Sequence, residues 1–120
     1  IWICDEDGTS PSEIVGNRDF GAITPSWSPD GKYIAYATVH KSESARKKKR
    51  FEQGDNIWYV PVTGGREVQV TNNEAADSMP VWKMNAHNRQ VIYFISNRED
   101  GHRVWSAEPY VVSKIKNKFD

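Results

Sequence analysis

Three histidines are the side chains of this chain most suited to binding a metal ion, but they are widely separated. His40, His87 and His102 do not show the His-x-x-x-His spacing that brings two imidazoles onto one metal. Histidines on solvent-exposed loops are the simpler interpretation. The sequence therefore predicts no metal site, although distant residues can still converge once a chain folds.

A serine nucleophile is not indicated either. Such a residue needs an activating base and usually an elbow such as Gly-x-Ser-x-Gly, and the chain contains no such elbow. Ser28 lies beside Pro29-Asp30-Gly31, where its hydroxyl is expected to bond to the local backbone. We predict no catalytic residue and no cofactor in this chain.

An acidic stretch, Asp5-Glu6-Asp7-Gly8-Thr9, resembles a calcium-binding loop only in composition. It lacks the spaced acidic ligands and the closing glutamate of such a loop. An Asp-Gly pair suits a tight hairpin turn, and the sequence predicts a turn here.

A basic run in the middle of the chain is a candidate polyanion-binding patch, formed by Arg46, Lys47, Lys48, Lys49 and Arg50. Only Phe51 accompanies it, so base stacking is not indicated. The alternative, which we favour, is a solvated insertion. A true polyanion site would bind with a steep salt dependence.

The composition predicts a folded domain without a membrane span. The 120 residues carry 16 basic and 16 acidic side chains, and they include five Trp, five Tyr and four Phe. This neutral balance gives no reason to expect nucleic-acid binding.

Cys4 is expected to be a small apolar residue on a strand. The chain opens without Met in what resembles a strand, so we expect it to be part of a longer protein.

Strand-and-turn patterns recur along the sequence at a nearly constant spacing. The segment Pro25–Thr38 reads as a hairpin, and a weaker copy runs from Pro80 to Ser96. Trp27 recurs as Trp82, 55 residues later, and Ile1 recurs as Ile57, 56 residues later. Without the insertion, the unit approaches the length of about 40–45 residues that is typical of a four-stranded propeller blade.

The predicted fold is all-β, a β-propeller fragment of about two and a half four-stranded antiparallel blades. Residues 1–23 would end one blade, residues 24–78 would form a second with the basic insertion at 41–55, and residues 79–120 a third. The predicted strands are Ile1–Cys4, Glu13–Val15, Ser26–Ser28, Tyr33–Val39, Asn56–Pro61, Glu67–Thr71, Met79–Lys83, Gln90–Ser96, Arg103–Glu108 and Tyr110–Ile115.

The phrase Pro25-Ser26-Trp27-Ser28-Pro29-Asp30-Gly31 resembles the recurring motif of the TolB-like propeller repeat family. The apolar strand Ile57–Val60, the turn Gly64-Gly65 and the strand end Val70-Thr71 continue the resemblance. The second copy departs from the family pattern, because Lys83–Arg89 replaces the Ser-Pro-Asp-Gly turn after Trp82.

This resemblance implies a non-catalytic scaffold for protein–protein interaction, located in the periplasm or elsewhere outside the cytoplasm. Its partners would be a protein, such as the lipoprotein and Tol–Pal partners of the family, or the rest of the propeller. Alternatively, the chain would belong to the substrate-gating propeller of a tricorn-like or prolyl-oligopeptidase-like peptidase whose catalytic domain lies elsewhere. A third reading is a carbohydrate-active propeller with a histidine-lined metal site.

The tryptophans are interpreted as packing between blades rather than as ligand-stacking surfaces, because aromatic motifs that repeat once per blade are an architectural device. The structural repeat motif then comprises Trp27, Pro29, Asp30, Gly31, Trp58, Trp82 and Trp105. Blade edges and faces left open in the fragment lead us to expect self-association.

Overall fold

The computed structural model describes residues 1–16, 20–40, 55–72, 75–99 and 101–109, and strands joined by turns make up these ranges. No helix within them is long and apolar enough to cross a membrane. The described strands are β1 (Trp2–Ile3), β2 (Ser12–Glu13), β3 (Phe20–Trp27), β4 (Tyr33–His40), β5 (Ile57–Pro61), β6 (Val68–Gln69), β7 (Asp77–Met84), β8 (Gln90–Ser96) and β9 (Arg103–Ala107).

These strands form three antiparallel sheets, with the orders β1-β2, β3-β4-β5-β6 and β7-β8-β9. Strands consecutive in sequence are neighbours within each sheet, as hairpin connections allow. The predicted all-β fold is confirmed, and the successive antiparallel sheets are consistent with a fragment of a β-propeller. The strand predicted at Tyr110–Ile115 lies outside the described residues.

The first strand of each larger sheet is longer than predicted, because each one continues through a proline. The predictions of short strands at Ser26–Ser28 and Met79–Lys83 are wrong at their N-terminal ends. The pairing of β3 with β4 shifts register between Ile23 and Ser26, and β7 shifts against β8 between Ser78 and Val81. A bulge accommodates Pro25 and Pro80, since proline cannot donate to a regular ladder.

The last strand of the four-stranded sheet is shorter than the predicted Glu67–Thr71, because regular pairing ends at Gln69. Beyond it, the N–H groups of Val70 and Thr71 both donate to the Ile57 carbonyl, at 2.8 and 3.2 Å. In the same way, the N–H groups of Ile14 and Val15 both donate to the Ile1 carbonyl, and β2 ends at Glu13, before its predicted limit at Val15.

The four-stranded sheet makes apolar contacts on both faces, and alternate residues of β4 point to opposite faces. Ile34 and Tyr36 belong to an apolar cluster that includes Ile3 of β1 and Val15, which follows β2. Ala35 and Ala37 are fully buried in a second cluster, shared with Trp82 and other residues of the β7-β8-β9 sheet. The small alanine side chains permit β7 to approach β4 closely.

Alkaline pH is expected to destabilise the fold through Tyr36, whose phenol is only 1% exposed. Burial and, secondarily, the Glu67 carboxylate raise the pKa of Tyr36 above its ordinary value of 10.0. The unfolded chain therefore ionises first, and the free energy of unfolding should fall as the pH rises above about 10. We expect Tyr36→Phe to show a smaller loss of stability than the parent between about pH 9 and about pH 11 in urea denaturation. Equal losses would contradict this assignment.

Candidate functional site

The Ser-Pro-Asp-Gly turn between β3 and β4 is held together by two side chains of the motif itself. The Ser28 hydroxyl donates to Asp30 Oδ1 at 2.6 Å and accepts the Tyr33 N–H at 2.9 Å. Asp30 Oδ1 also accepts the Lys32 N–H at 3.0 Å. Gly31 adopts a φ of 72°, a conformation that glycine takes at little cost. Both hydrogen-bonding functions of the buried Ser28 hydroxyl are therefore used within the turn.

The other carboxylate oxygen of Asp30 connects this turn to the next sheet. Asp30 Oδ2 accepts a hydrogen bond from Gln90 Nε2 at 3.2 Å, and Gln90 begins β8. One side chain thus closes a hairpin and bonds to the neighbouring sheet. Pro29, which occupies the exposed tip, presets the backbone for the turn.

Asn85 takes the place of Asp30 in the second copy, three residues after Trp82 as Asp30 is three residues after Trp27. Asn85 Oδ1 accepts the N–H groups of His87 and Arg89, at 2.9 and 3.0 Å. Sequence analysis treated this turn as a loss of the motif and missed Asn85. The equal spacing from the tryptophan in the two copies could have identified Asn85, because aspartate and asparagine side chains both accept hydrogen bonds from the backbone of a turn.

Trp82 is the centre of the contact between the two larger sheets. Its side chain is 4% exposed and lies against Tyr33 of β4 and Tyr59 of β5. The ring centroids of Trp82 and Tyr33 are 5.9 Å apart in a stacked arrangement, and the Tyr59 ring meets Trp82 edge-on at 5.4 Å. Burial raises the pKa of Tyr59, with a smaller contribution from Tyr33. We call this arrangement of Tyr33, Tyr59 and Trp82 the aromatic seat.

A hydrogen bond from the Trp82 backbone to a side chain accompanies the aromatic seat. The Trp82 N–H donates to Ser26 Oγ at 3.0 Å, so a side chain of β3 satisfies a donor on the edge strand β7. An edge donor left without a partner away from water would be costly.

The motif tryptophans lie on equivalent faces of their sheets, as their cross-strand partners show. Their partners belong to the cluster shared with the preceding sheet in each case: Trp27 with Ile34, Trp58 with Tyr36, Trp82 with Ile92 and Trp105 with Phe94. Their burial nevertheless differs. Trp58 and Trp105 are half-buried and Trp82 is buried, but Trp27 is 55% exposed.

An ion pair that sequence analysis missed lies where β7 begins and β8 ends. Arg98 Nη2 donates to both carboxylate oxygens of the buried Asp77 at 3.1 Å, and Arg98 Nε donates to Ser96 Oγ at 2.9 Å. The Arg98 guanidinium also lies 4.7 Å from the centre of the Trp105 ring. The pair compensates a buried charge, and no local sequence pattern signals a partner 21 residues away.

The remaining candidate residues do not converge on a site within the described part of the chain. His87 and His102 are exposed, and the described residues contain no group of metal-binding side chains. Asp5–Thr9 forms the β1–β2 turn, in which hydrogen bonds from Thr9 lower the pKa of Asp7. The expectation for Cys4 is wrong, because it follows β1 and is exposed. The patch Arg46–Arg50 lies outside the described residues and stays a prediction.

Stretches of the chain are similar to parts of bacterial TolB proteins, while no protein-family model matches it. The Tol-Pal system protein TolB of Wigglesworthia glossinidia brevipalpis is 41% identical over 54 residues, which cover 45% of this chain and 12% of that protein. The TolB proteins of Xanthomonas oryzae pv. oryzae (strain PXO99A) and Xylella fastidiosa (strain M12) are each 33% identical over 70 residues, covering 57% of this chain and 13% of theirs. The chain thus corresponds to a small part of these relatives, whose names denote no enzymatic activity.

Removing the ring of Trp82 should destabilise the chain far more than removing that of Trp27. We expect Trp82→Ala to lower the free energy of unfolding by about 3–5 kcal/mol, since it leaves a cavity between two sheets. The matched variant Trp27→Ala should cost less than about 1 kcal/mol because that ring is largely exposed. Urea denaturation followed by circular dichroism measures both changes, and equal losses would argue against the aromatic seat as the main inter-sheet contact.

The bond between Asp30 and Gln90 should appear as a coupling in a double-mutant cycle. Asp30→Ala and Gln90→Ala are expected to be non-additive by about 0.5–1 kcal/mol, as befits one exposed hydrogen bond. Asp30→Ala alone should cost more than Gln90→Ala, because it also releases Ser28 and Lys32. As a control, Val104→Ala on β9 should show no coupling to Asp30→Ala. Full additivity of the first pair would show that the inter-sheet bond contributes nothing.

Proposed function

We propose that this chain is part of a TolB-like β-propeller and serves as a non-catalytic scaffold for protein–protein interaction. The aromatic seat is the observation that carries the proposal. It shows the repeat motif joining one antiparallel sheet to the next, as successive blades of a propeller require. The partial similarity to TolB proteins of three bacteria supports the same assignment.

The polar residues of the motif support a scaffold role because their hydrogen bonds serve the architecture. Ser28 closes its own turn, Asp30 bonds to Gln90 of the next sheet, and Ser26 accepts the backbone N–H of Trp82. Sheets fixed in this way present their loops and edges at defined positions. A rigid framework that displays loops is a common basis for binding another protein.

The names of the relatives indicate the partner that we propose, and the resemblance to the TolB-like family implies the compartment. Those proteins are called Tol-Pal system proteins. From the family resemblance we place this chain outside the cytoplasm, in the periplasm. From the relatives' names we propose that the protein to which it belongs contacts the Pal component of such a system.

Binding to Pal tests this function in the longer protein that contains the chain. Isothermal titration calorimetry with purified Pal should show saturable binding. The same preparation should not hydrolyse peptide substrates, because we assign the chain no catalytic task. Absence of Pal binding would overturn the proposed partner. Peptide hydrolysis abolished by a serine-directed inhibitor would overturn the non-catalytic role and favour a peptidase propeller.

A further inference from the structure

The small sheet β1-β2 is the counterpart of β5-β6, because the two agree in register and share several backbone hydrogen bonds. The Ile57 carbonyl accepts the N–H groups of Val70 and Thr71, and the Ile1 carbonyl accepts those of Ile14 and Val15 at 3.0 and 3.3 Å. The turns agree as well: the Gly64 N–H donates to Pro61 and the Gly8 N–H to Asp5, at 2.9 and 2.8 Å. We conclude that β1 occupies the position in its sheet that β5 occupies in the next.

The two counterparts differ at one edge. β5 is hydrogen-bonded to β6 on one side and to β4 on the other, with Tyr36 opposite Trp58. Among the described residues, β1 is bonded only to β2, which leaves the edge equivalent to the β4 side of β5 without a strand. The side chain next to this edge reflects the difference: Trp2 is 62% exposed, whereas its counterpart Trp58 is half-buried. An open strand edge is a template for adding another strand.

The exposed ring of Trp27 points to the same missing strand. Its counterpart Trp82 is held by Tyr59 on β5 and Tyr33 on β4. In the small sheet, Ile3 of β1 takes the place of Tyr59 and already packs in the core. The place of Tyr33 would lie on a strand paired with β1. One added strand would therefore complete the sheet and cover Trp27.

We propose that the open edge of β1 and the exposed face of Trp27 form one docking site for a β-hairpin of the same repeat. The second strand of that hairpin pairs antiparallel with β1 and places an aromatic ring against Trp27, as β4 places Tyr33 against Trp82. This inference rests on the proposed function only in so far as it assumes a propeller.

A second copy of this chain fits the site less well than such a hairpin. On the β7-β8-β9 sheet, the positions of Tyr33 and Tyr59 are taken by Val91 and Ser106. That face offers no pair of rings to Trp27, so head-to-tail stacking of two copies would not reproduce the aromatic seat.

The test adds a synthetic hairpin peptide to the whole 120-residue chain. The peptide carries residues 20–40 of this chain, which form β3 and β4, with Trp27→Phe so that it contributes no indole. The chain is labelled with 5-fluorotryptophan, and its five indole signals are assigned by single Trp→Phe variants. We expect saturable binding that shifts the fluorine signals of Trp2 and Trp27 and leaves that of Trp82 in place.

Variants of the chain then locate the site. Trp27→Ala should weaken peptide binding by about tenfold or more, because a buried aromatic anchor is lost. Val104→Ala, an exposed change on β9, should leave the affinity unchanged. The Trp82 signal reports in every sample whether the aromatic seat is folded, so a variant that fails to fold is recognised and Trp27→Phe takes its place.

Three results would overturn the proposal: no saturable binding by the folded chain, equal affinity of the Trp27→Ala and parent chains, or a concentration-dependent dimer that alone shifts the Trp27 signal. Each is independent of the calorimetric measurement with Pal. If the chain binds the hairpin but the longer protein does not bind Pal, the docking site is supported and the proposed function is contradicted.

Discussion

The packing of Trp82 against Tyr33 and Tyr59 is the interaction on which the rest of this structure depends. It joins the two larger sheets through one buried indole, and it requires little bulk beneath it, a condition that the buried Ala35 meets. Two hydrogen bonds lie beside it, from the backbone N–H of Trp82 to the Ser26 hydroxyl and from the Gln90 amide to the Asp30 carboxylate. Apolar burial supplies most of the attraction, while these bonds leave fewer polar groups unpaired.

The repeat is visible in backbone details that side chains alone do not explain. Thr24 and Met79 both adopt positive φ values, 51° and 53°, immediately before the prolines of the two bulges. Ile1 and Ile57 both accept two N–H groups through one carbonyl. Successive sheets therefore share backbone geometry while their surfaces differ, which is what a scaffold with variable loops requires.

The equivalent turn position holds Asp30 in the first copy and Asn85 in the second, and the two side chains make different hydrogen bonds. Asp30 has two carboxylate oxygens, so it can close its own hairpin and still bond to Gln90 of the next sheet. Asn85 uses its single amide oxygen for two N–H groups of its own turn. The second hairpin is thereby closed locally. The Arg98–Asp77 pair adds a charged contact at the start of β7 that has no equivalent in the first copy of the motif, where Ala22 stands in the place of Asp77.

Spacing alone was enough to predict the all-β fold, the repeat and the matching tryptophans, because strand alternation and turn residues are local properties of sequence. The sequence also indicated that Trp27 and Trp82 occupy equivalent positions of the repeat. Only the tertiary structure distinguished their environments, since burial depends on which sheet lies opposite. It also carried β3 and β7 through Pro25 and Pro80, brought Arg98 to Asp77, and set Asp30 beside Gln90, 60 residues away. The contact of Asp30 with Gln90 arises from the stacking of two sheets, and the other features arise from strand pairing within a sheet; neither is encoded by a single strand.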